Sequence, residues 1–408
     1  MLSGGGGLKR EPRLLVIFFI INLYVFLFFS ILDPVGIIFD LKTIGFLGAL
    51  TLTFFLYVFA PYLLLSYRTL IGLILFTVVV PLYGYTVANL SGFEIDFVIA
   101  HQYSYAFLPF LLIIPLASLK LKIDNILSSI LIFQASLILV ISMFSLLGSD
   151  YYILFGDFFD RYLNAAKIGM RDFNGLVVPM VYFKASVLLV FLMAYGSLMG
   201  GYRGWLITLL GATAMVLSGT RANAIVAVII LLLFILIKVW SKSRALAVLF
   251  LILGLCCFGY FSIMLASHFF VSTETSNQIK LGHLDGYMDY FFGSGLQVIF
   301  GAGTGSGFYS PGYGKIVYAS ELSFLELFRI YGVFGMVILS VFVLPAFYRK
   351  SLGIHYFIAW LGFLLIASSN PLLISSTGMI ALLFIYSIMC GCDSRGSFVD
   401  GDRIRYGN

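Results

Sequence analysis

The chain has 408 residues, 61% hydrophobic and 10% charged, with a mean hydropathy of +1.07 and a formal net charge of +6. Apolar runs of roughly 20 residues recur, which excludes a soluble globular protein; they are continuous rather than alternating, which excludes a β-barrel. The basic excess reads as membrane orientation and not as nucleic-acid affinity.

The spacing predicts an all-α polytopic bundle, a single membrane domain over residues 1–408, with about twelve transmembrane helices. Lys9, Arg10 and Arg13 precede the first run, and no small-residue cleavage site follows it, so this helix is expected to remain as an anchor. Gly4–Gly7 is expected to be a flexible terminus. The first four helices are predicted at Leu14–Leu32, Ile44–Leu65, Leu70–Ala88 and Ser104–Leu119. The next four fall at Ile126–Leu147, Ala185–Gly200, Trp205–Ser218 and Ala222–Ile237. The last four fall at Ala245–Ala266, Leu322–Phe347, Ile354–Ser368 and Leu373–Cys390. Cys256 and Cys257 lie inside an apolar run, and Cys390 and Cys392 close the last one; neither pair builds a disulfide framework or a metal site.

Lys and Arg set the expected orientation. With the N-terminus inside, most basic residues fall in short cytoplasmic segments, among them Arg68, Lys120, Lys122, Arg203, Lys238, Lys242, Arg244 and Lys350. An even helix count then puts the C-terminus inside too. Two long segments share the opposite, outer side: Gly148–Lys184 and Ser267–Ser320. No P-loop and no G-x-G-x-x-G between a strand and a helix is present, so chemistry is expected outside, without ATP, metal or other cofactor. No internal repeat of the transporter kind is evident.

Several residues in these outer segments suit chemistry. Ser218-Gly219-Thr220-Arg221-Ala222-Asn223 closes one apolar run and opens the next. Its guanidinium suits phosphate oxygens, although an interfacial arginine also snorkels to lipid headgroups. Arg161, Arg171 and Lys184 form a second basic patch for pyrophosphate, acidic sugars or headgroups. His283 suits general acid–base work near neutral pH, or is a solvated loop histidine.

A soft, polar glycine- and tyrosine-rich loop, Gly301–Ser320, then leads into ELSFLELFRIYGVFG, Glu321–Gly335. Glu321 is expected at the start of the tenth helix, as a general base for a sugar hydroxyl or as a carboxylate favoured by the helix dipole. Glu326 and Arg329 are three residues apart, a spacing that suits an ion pair; Arg329 is also a candidate cation for a substrate phosphate. The tyrosines suit sugar stacking and the membrane interface alike.

SGTRAN opening an apolar run, and an outer loop with G-x-G-x-G-S-G-F followed by ELSFLELFRIYGVFG, resemble the O-antigen polymerase and ligase superfamily. The resemblance runs from about Tyr151 onward. In ligases a histidine stands where this chain has Glu321; Glu321-Leu322-Ser323 is closer to the polymerase pattern, whose paired arginine–glycine loop motifs are absent. The resemblance implies a membrane glycosyltransferase of the bacterial inner membrane, with both termini cytoplasmic. It would polymerise undecaprenyl-pyrophosphate-linked oligosaccharide repeat units on the periplasmic face, with a chain-length regulator protein as a partner. Arg221, helped by Arg329 or by Arg161 and Arg171, would hold the departing pyrophosphate. Glu321 first, and His283 second, would accept the proton of the attacking hydroxyl. The alternatives are a ligase of the same superfamily, which the missing histidine disfavours, and a lipid-linked oligosaccharide flippase, which the two long outer segments disfavour.

Overall fold

The computed structural model describes residues 13–59, 67–119, 121, 123–148, 150–173, 176–252, 254, 275–293 and 295–402. Among these residues, six helices are long and apolar enough to cross a membrane, and four more are apolar over shorter lengths. The protein is thus a helical membrane protein; among the described residues, strand is confined to two small antiparallel hairpins. Cys256, Cys257, His268, Glu274, Lys9, Arg10, the Gly4–Gly7 run and the far half of the expected ninth helix lie outside the described residues.

The chain begins with α1 (Arg13–Leu32) and α2 (Leu41–Phe59), packed on each other. The third expected helix is composite: α3 (Tyr67–Ile74), a π-turn at Leu75–Val79, and α4 (Val80–Leu90). The fourth starts earlier than expected, as α5 (Phe97–Tyr105), because Asp96 caps it by accepting from the Val98 and Ile99 amides. Pro109 then tightens Leu108–Leu112 into a 3-10 turn before α6 (Ile113–Leu119). The long α7 (Ile123–Leu146) follows.

The first expected outer segment is folded. It holds α8 (Tyr151–Gly156), a π-turn at Asp157–Tyr162, and the hairpin β1 (Ala166–Phe173) with β2 (Leu176–Phe183). Alternation is visible only after the strands are known, because apolar residues crowd both faces of β2.

Next come α9 (Leu189–Met199), α10 (Gly201–Leu217) and α11 (Arg221–Lys242). α9 is apolar all round, and Leu189 to Ala194 are fully buried, so it sits at the centre of the bundle. It contacts α7, α10 and α11, and also the later helix α17 (Arg349–Ala367). Between helices in lipid, close packing replaces the hydrophobic drive. Here Gly196 and Gly204 bring α9 and α10 so close that a Cβ on Gly204 would lie 2.3 Å from the Gly196 carbonyl oxygen.

A further helix, α12 (244–252), is the described part of the expected ninth span. The second expected outer segment is also folded over its described residues, with α13 (Thr275–Gly293), α14 (Gly295–Phe300) and the hairpin β3 (Phe308–Ser310) and β4 (Lys315–Val317). The expected tenth helix is two: α15 (Ser323–Tyr331) and α16 (Phe334–Phe347), parted at Gly332, where φ is +54°. α17 (Arg349–Ala367) is kinked at Gly353, and α18 (Ser376–Asp402) ends the described chain.

Candidate functional site

The first part of the glycine block is not the soft polar loop expected from its composition, whereas residues 311–316 are largely exposed. Residues Gly301 to Phe308 are all buried. Their backbone is wedged between α15 and the turn from α4 to α5. Ala302 and Gly303 amides donate to the Arg329 and Ile330 carbonyls (2.7 and 3.0 Å), and the Thr304 amide donates to Gly84 (3.0 Å). The Asp96 amide donates to the Gly305 carbonyl (2.9 Å), and the Gly307 amide donates to the Glu94 carbonyl (2.9 Å). Gly303 has φ +86°, and a Cβ there would lie 2.0 Å from the Ala88 nitrogen. Only glycine fits this wedge.

Arg329 holds the same wedge from its other side. Its guanidinium is fully buried and grips Glu326 with two bonds, Nε to Oε2 at 2.9 Å and Nη2 to Oε1 at 2.7 Å. Nη1 donates to the carbonyl and to the hydroxyl of Ser306, both at 2.8 Å. Tyr287 donates its hydroxyl to Glu326 at 2.5 Å, and the guanidinium lies over the Phe308 ring at 4.9 Å. The donors that would face a substrate phosphate are therefore committed to the fold.

Glu321 has a different setting. α15 starts at Ser323, so Glu321 precedes the helix instead of opening it. The Ser323 hydroxyl donates to the Asn370 carbonyl and accepts from the Leu372 amide at 3.0 Å, which anchors this end of α15 to the α17–α18 turn. The Glu321 carboxylate is half-exposed, and Lys280 Nζ stands 3.4 Å from its Oε2. Lys280 also donates to the Ser369 carbonyl at 3.3 Å.

His283 lies three residues after Lys280 on α13, on the same face of the helix. It is buried, not solvated, with its ring against Phe308 and Tyr313 at 5.9 and 5.4 Å between centroids. Its Nδ1 finds no hydrogen-bond partner among the described residues. Burial pulls its pKa below the ordinary value, and the charges of Glu321 and Glu326 push partly back.

The β1–β2 hairpin brings the third component. Arg171 donates through Nη1 to the Gly219 carbonyl at 3.0 Å. Gly219 has φ +69°, and a Cβ there would meet Met180 Cγ at 2.5 Å, so the hairpin rests directly on the SGTRAN turn. Ser218 donates to the Met215 carbonyl (2.6 Å) and accepts from Asn223 Nδ2 (2.9 Å), which locks the turn. Arg221 is then the first residue of α11, at the positive end of that helix. Its charge and that of Arg171 act on each other. Burial lowers the Arg171 pKa and the Glu321 charge raises it; an arginine stays cationic through such shifts. Burial, and then Glu321, likewise push the Tyr182 phenol upward.

The arrangement gathers Arg171, Arg221, Lys280, Glu321 and His283 from four separate stretches into one electrostatic neighbourhood. It offers three cations, one accessible carboxylate and a buried imidazole. The cations suit an anion with several oxygens, since two arginines and a helix N-terminus repel one another without one. Arg161 is not part of it: it is exposed and pairs with Asp157 at 2.9 Å on the π-turn. The expected patch is split again at Lys184, which donates to Asn164 at 3.2 Å and stands near Lys167 and Asp160. Sequence reasoning missed Lys280 and Tyr182. The Lys280–His283 spacing was the available signal, but it has meaning only on a helix, and that segment reads as loop.

Among the described residues no group of three or more His, Cys, Asp or Glu side chains could hold a metal ion. No protein-family model matches the sequence, and no curated protein matches it.

Proposed function

We propose that the protein polymerises oligosaccharide repeat units carried on undecaprenyl pyrophosphate, on the periplasmic face of the bacterial inner membrane. The observation that carries this reading is the meeting of Arg171, Arg221 and Lys280 with the accessible Glu321, Arg221 standing at the start of the apolar helix α11. In this reading about twelve helices span the membrane, with both termini cytoplasmic.

The acceptor sugar hydroxyl attacks the anomeric carbon of the growing chain. A new glycosidic C–O bond forms, and the C–O bond to the lipid pyrophosphate breaks. Glu321 takes the hydroxyl proton, and the charge of the departing pyrophosphate is met by Arg221 and Arg171. His283 is the second candidate base; its buried ring places it behind Glu321. The energy is already in the phosphoester, so no nucleotide is needed.

The test is a strain lacking the gene, analysed for its lipopolysaccharide. Loss of the polymer ladder with one repeat unit still on the core is expected. Polymer retained on the lipid carrier, with no repeat units on the core, would instead assign a ligase. An unchanged ladder would remove both readings.

A further inference from the structure

Of the three cations gathered at the site, Arg171 and Arg221 meet the departing pyrophosphate, while Lys280 stands on the base. Its Nζ lies 3.4 Å from Glu321 Oε2 and 3.3 Å from the Ser369 carbonyl oxygen. The three groups belong to three elements: Lys280 to α13, Glu321 to the segment leading into α15, and Ser369 to the turn between α17 and α18. Both contacts are longer than a good charge-assisted hydrogen bond, and the two side chains of the ion pair are 32% and 40% exposed. An ion pair this open holds its partners weakly. Arg329 and Glu326 show the contrast: two bonds of 2.9 and 2.7 Å, fully buried. That pair is built to stay, and the Lys280 pair is built to part.

The surroundings of Glu321 decide what parts it. Its charge acts on Arg171 of β1, Tyr182 of β2 and His283 of α13, and the Arg171 charge acts on Arg221 at the start of α11. An anion that settles between the two arginines meets Glu321 as a repelling charge and Lys280 as an attracting one. Transfer of the ammonium from the carboxylate to the anion improves both interactions. Lysine suits that transfer, being a compact charge on four flexible carbons, whereas the Arg171 guanidinium is tied to the Gly219 carbonyl. An ammonium held against a carboxylate favours its ionised form and opposes proton uptake. Departure of Lys280 therefore frees Glu321 to accept a proton.

We propose that Lys280 is a latch on Glu321 that a pyrophosphate bound at Arg171 and Arg221 draws away, so that the base becomes available only when the donor is in place. This rests on the function proposed above and adds an order to it: lipid pyrophosphate first, acceptor hydroxyl second. An acceptor that arrives at an empty site finds Glu321 occupied.

The experiment is a double-mutant cycle on the affinity of undecaprenyl pyrophosphate for the purified full-length protein in nanodiscs, read by native mass spectrometry. Its members are the wild type, Glu321→Gln, Lys280→Met and the double variant. In the wild type the anion has to part Lys280 from Glu321; in Lys280→Met there is no pair to part. Glu321→Gln should therefore tighten binding more in the wild-type background than in Lys280→Met, by a factor of about three. Lys280→Gln, which keeps a donor for the Ser369 carbonyl, is carried through the same cycle, so that poor folding of Lys280→Met leaves the comparison intact. Equal gains in the two backgrounds overturn the latch and leave the proposed function standing. A larger gain in the Lys280 variants overturns it too, because Lys280 then shields Glu321 without leaving it. If undecaprenyl pyrophosphate does not bind the wild type, the proposed function fails together with the latch.

Discussion

Arg171 donates to the backbone carbonyl of Gly219, a residue 48 positions further along the chain, at 3.0 Å. This bond joins the β1–β2 hairpin to the turn that starts α11, and it is made possible by a glycine with φ +69° lying against Met180. Gly219→Ala would strain the backbone by about 1–3 kcal/mol and push on the hairpin. The expected result is a lower melting temperature and a shortened or lost ladder, even though no charged group is altered. Thermal unfolding of the purified variant, run beside the lipopolysaccharide profile, checks this. A wild-type ladder would mean that the hairpin can lift without consequence for the site.

Arg329 and Glu326 give the opposite expectation. Each is buried and satisfied by the other, with Ser306 and Tyr287 completing the network. Removing one partner leaves the other as an uncompensated buried charge, at a cost of about 3–5 kcal/mol. Arg329→Met and Glu326→Leu should each reduce the amount of monodisperse protein in size-exclusion chromatography. The double variant should recover part of that loss. If Arg329→Met stays fully folded and loses only polymer, Arg329 is a substrate contact and not a strut.

Glu321 is the residue for which stability and activity should separate. It is half-exposed, and its contact with Lys280 is long, so the pair contributes about 1 kcal/mol or less. Glu321→Gln keeps the size and removes the basicity. The ladder should fall sharply with the melting temperature nearly unchanged. Arg221→Ala is expected to behave in the same way. An unaltered ladder in Glu321→Gln would assign the carboxylate to the Lys280 contact alone.

How far the sequence reveals this arrangement can be judged residue by residue. Long apolar runs carry their own evidence, because a helix in lipid must satisfy its backbone within itself; Leu14–Leu32 and Ile126–Leu147 are legible for that reason. The i, i+3 spacing of Glu326 and Arg329 likewise suggests their pairing, and the structure forms it. The glycine block misleads. Its small residues read as softness, yet they are small because backbone from α4, α5 and α15 presses on them. Arg171 and Glu321 lie about 150 positions apart, and their approach depends on the hairpin and on α13, which local periodicity does not reveal. Arg161, ten residues before Arg171, looks equivalent in the sequence; the strand carries one to the SGTRAN turn and the π-turn leaves the other on the surface.

His283 makes the protein's stability depend on pH in a definite sense. Burial depresses its pKa in the folded state below the ordinary value near 6.5, with Glu321 and Glu326 opposing in part. Between the folded and unfolded values, the unfolded chain binds more protons than the folded one, so stability rises with pH across that window. Above the ordinary value the imidazole is neutral in both states and its contribution is flat. Acidification below about 6.5 should therefore lower the melting temperature, and His283→Gln, which cannot be protonated, should flatten the part of the profile due to this group. The comparison is a melting series from about pH 7.5 down to about pH 5 for both proteins. Parallel curves for wild type and variant would show that the ring is not held neutral by its aromatic cage of Phe308 and Tyr313.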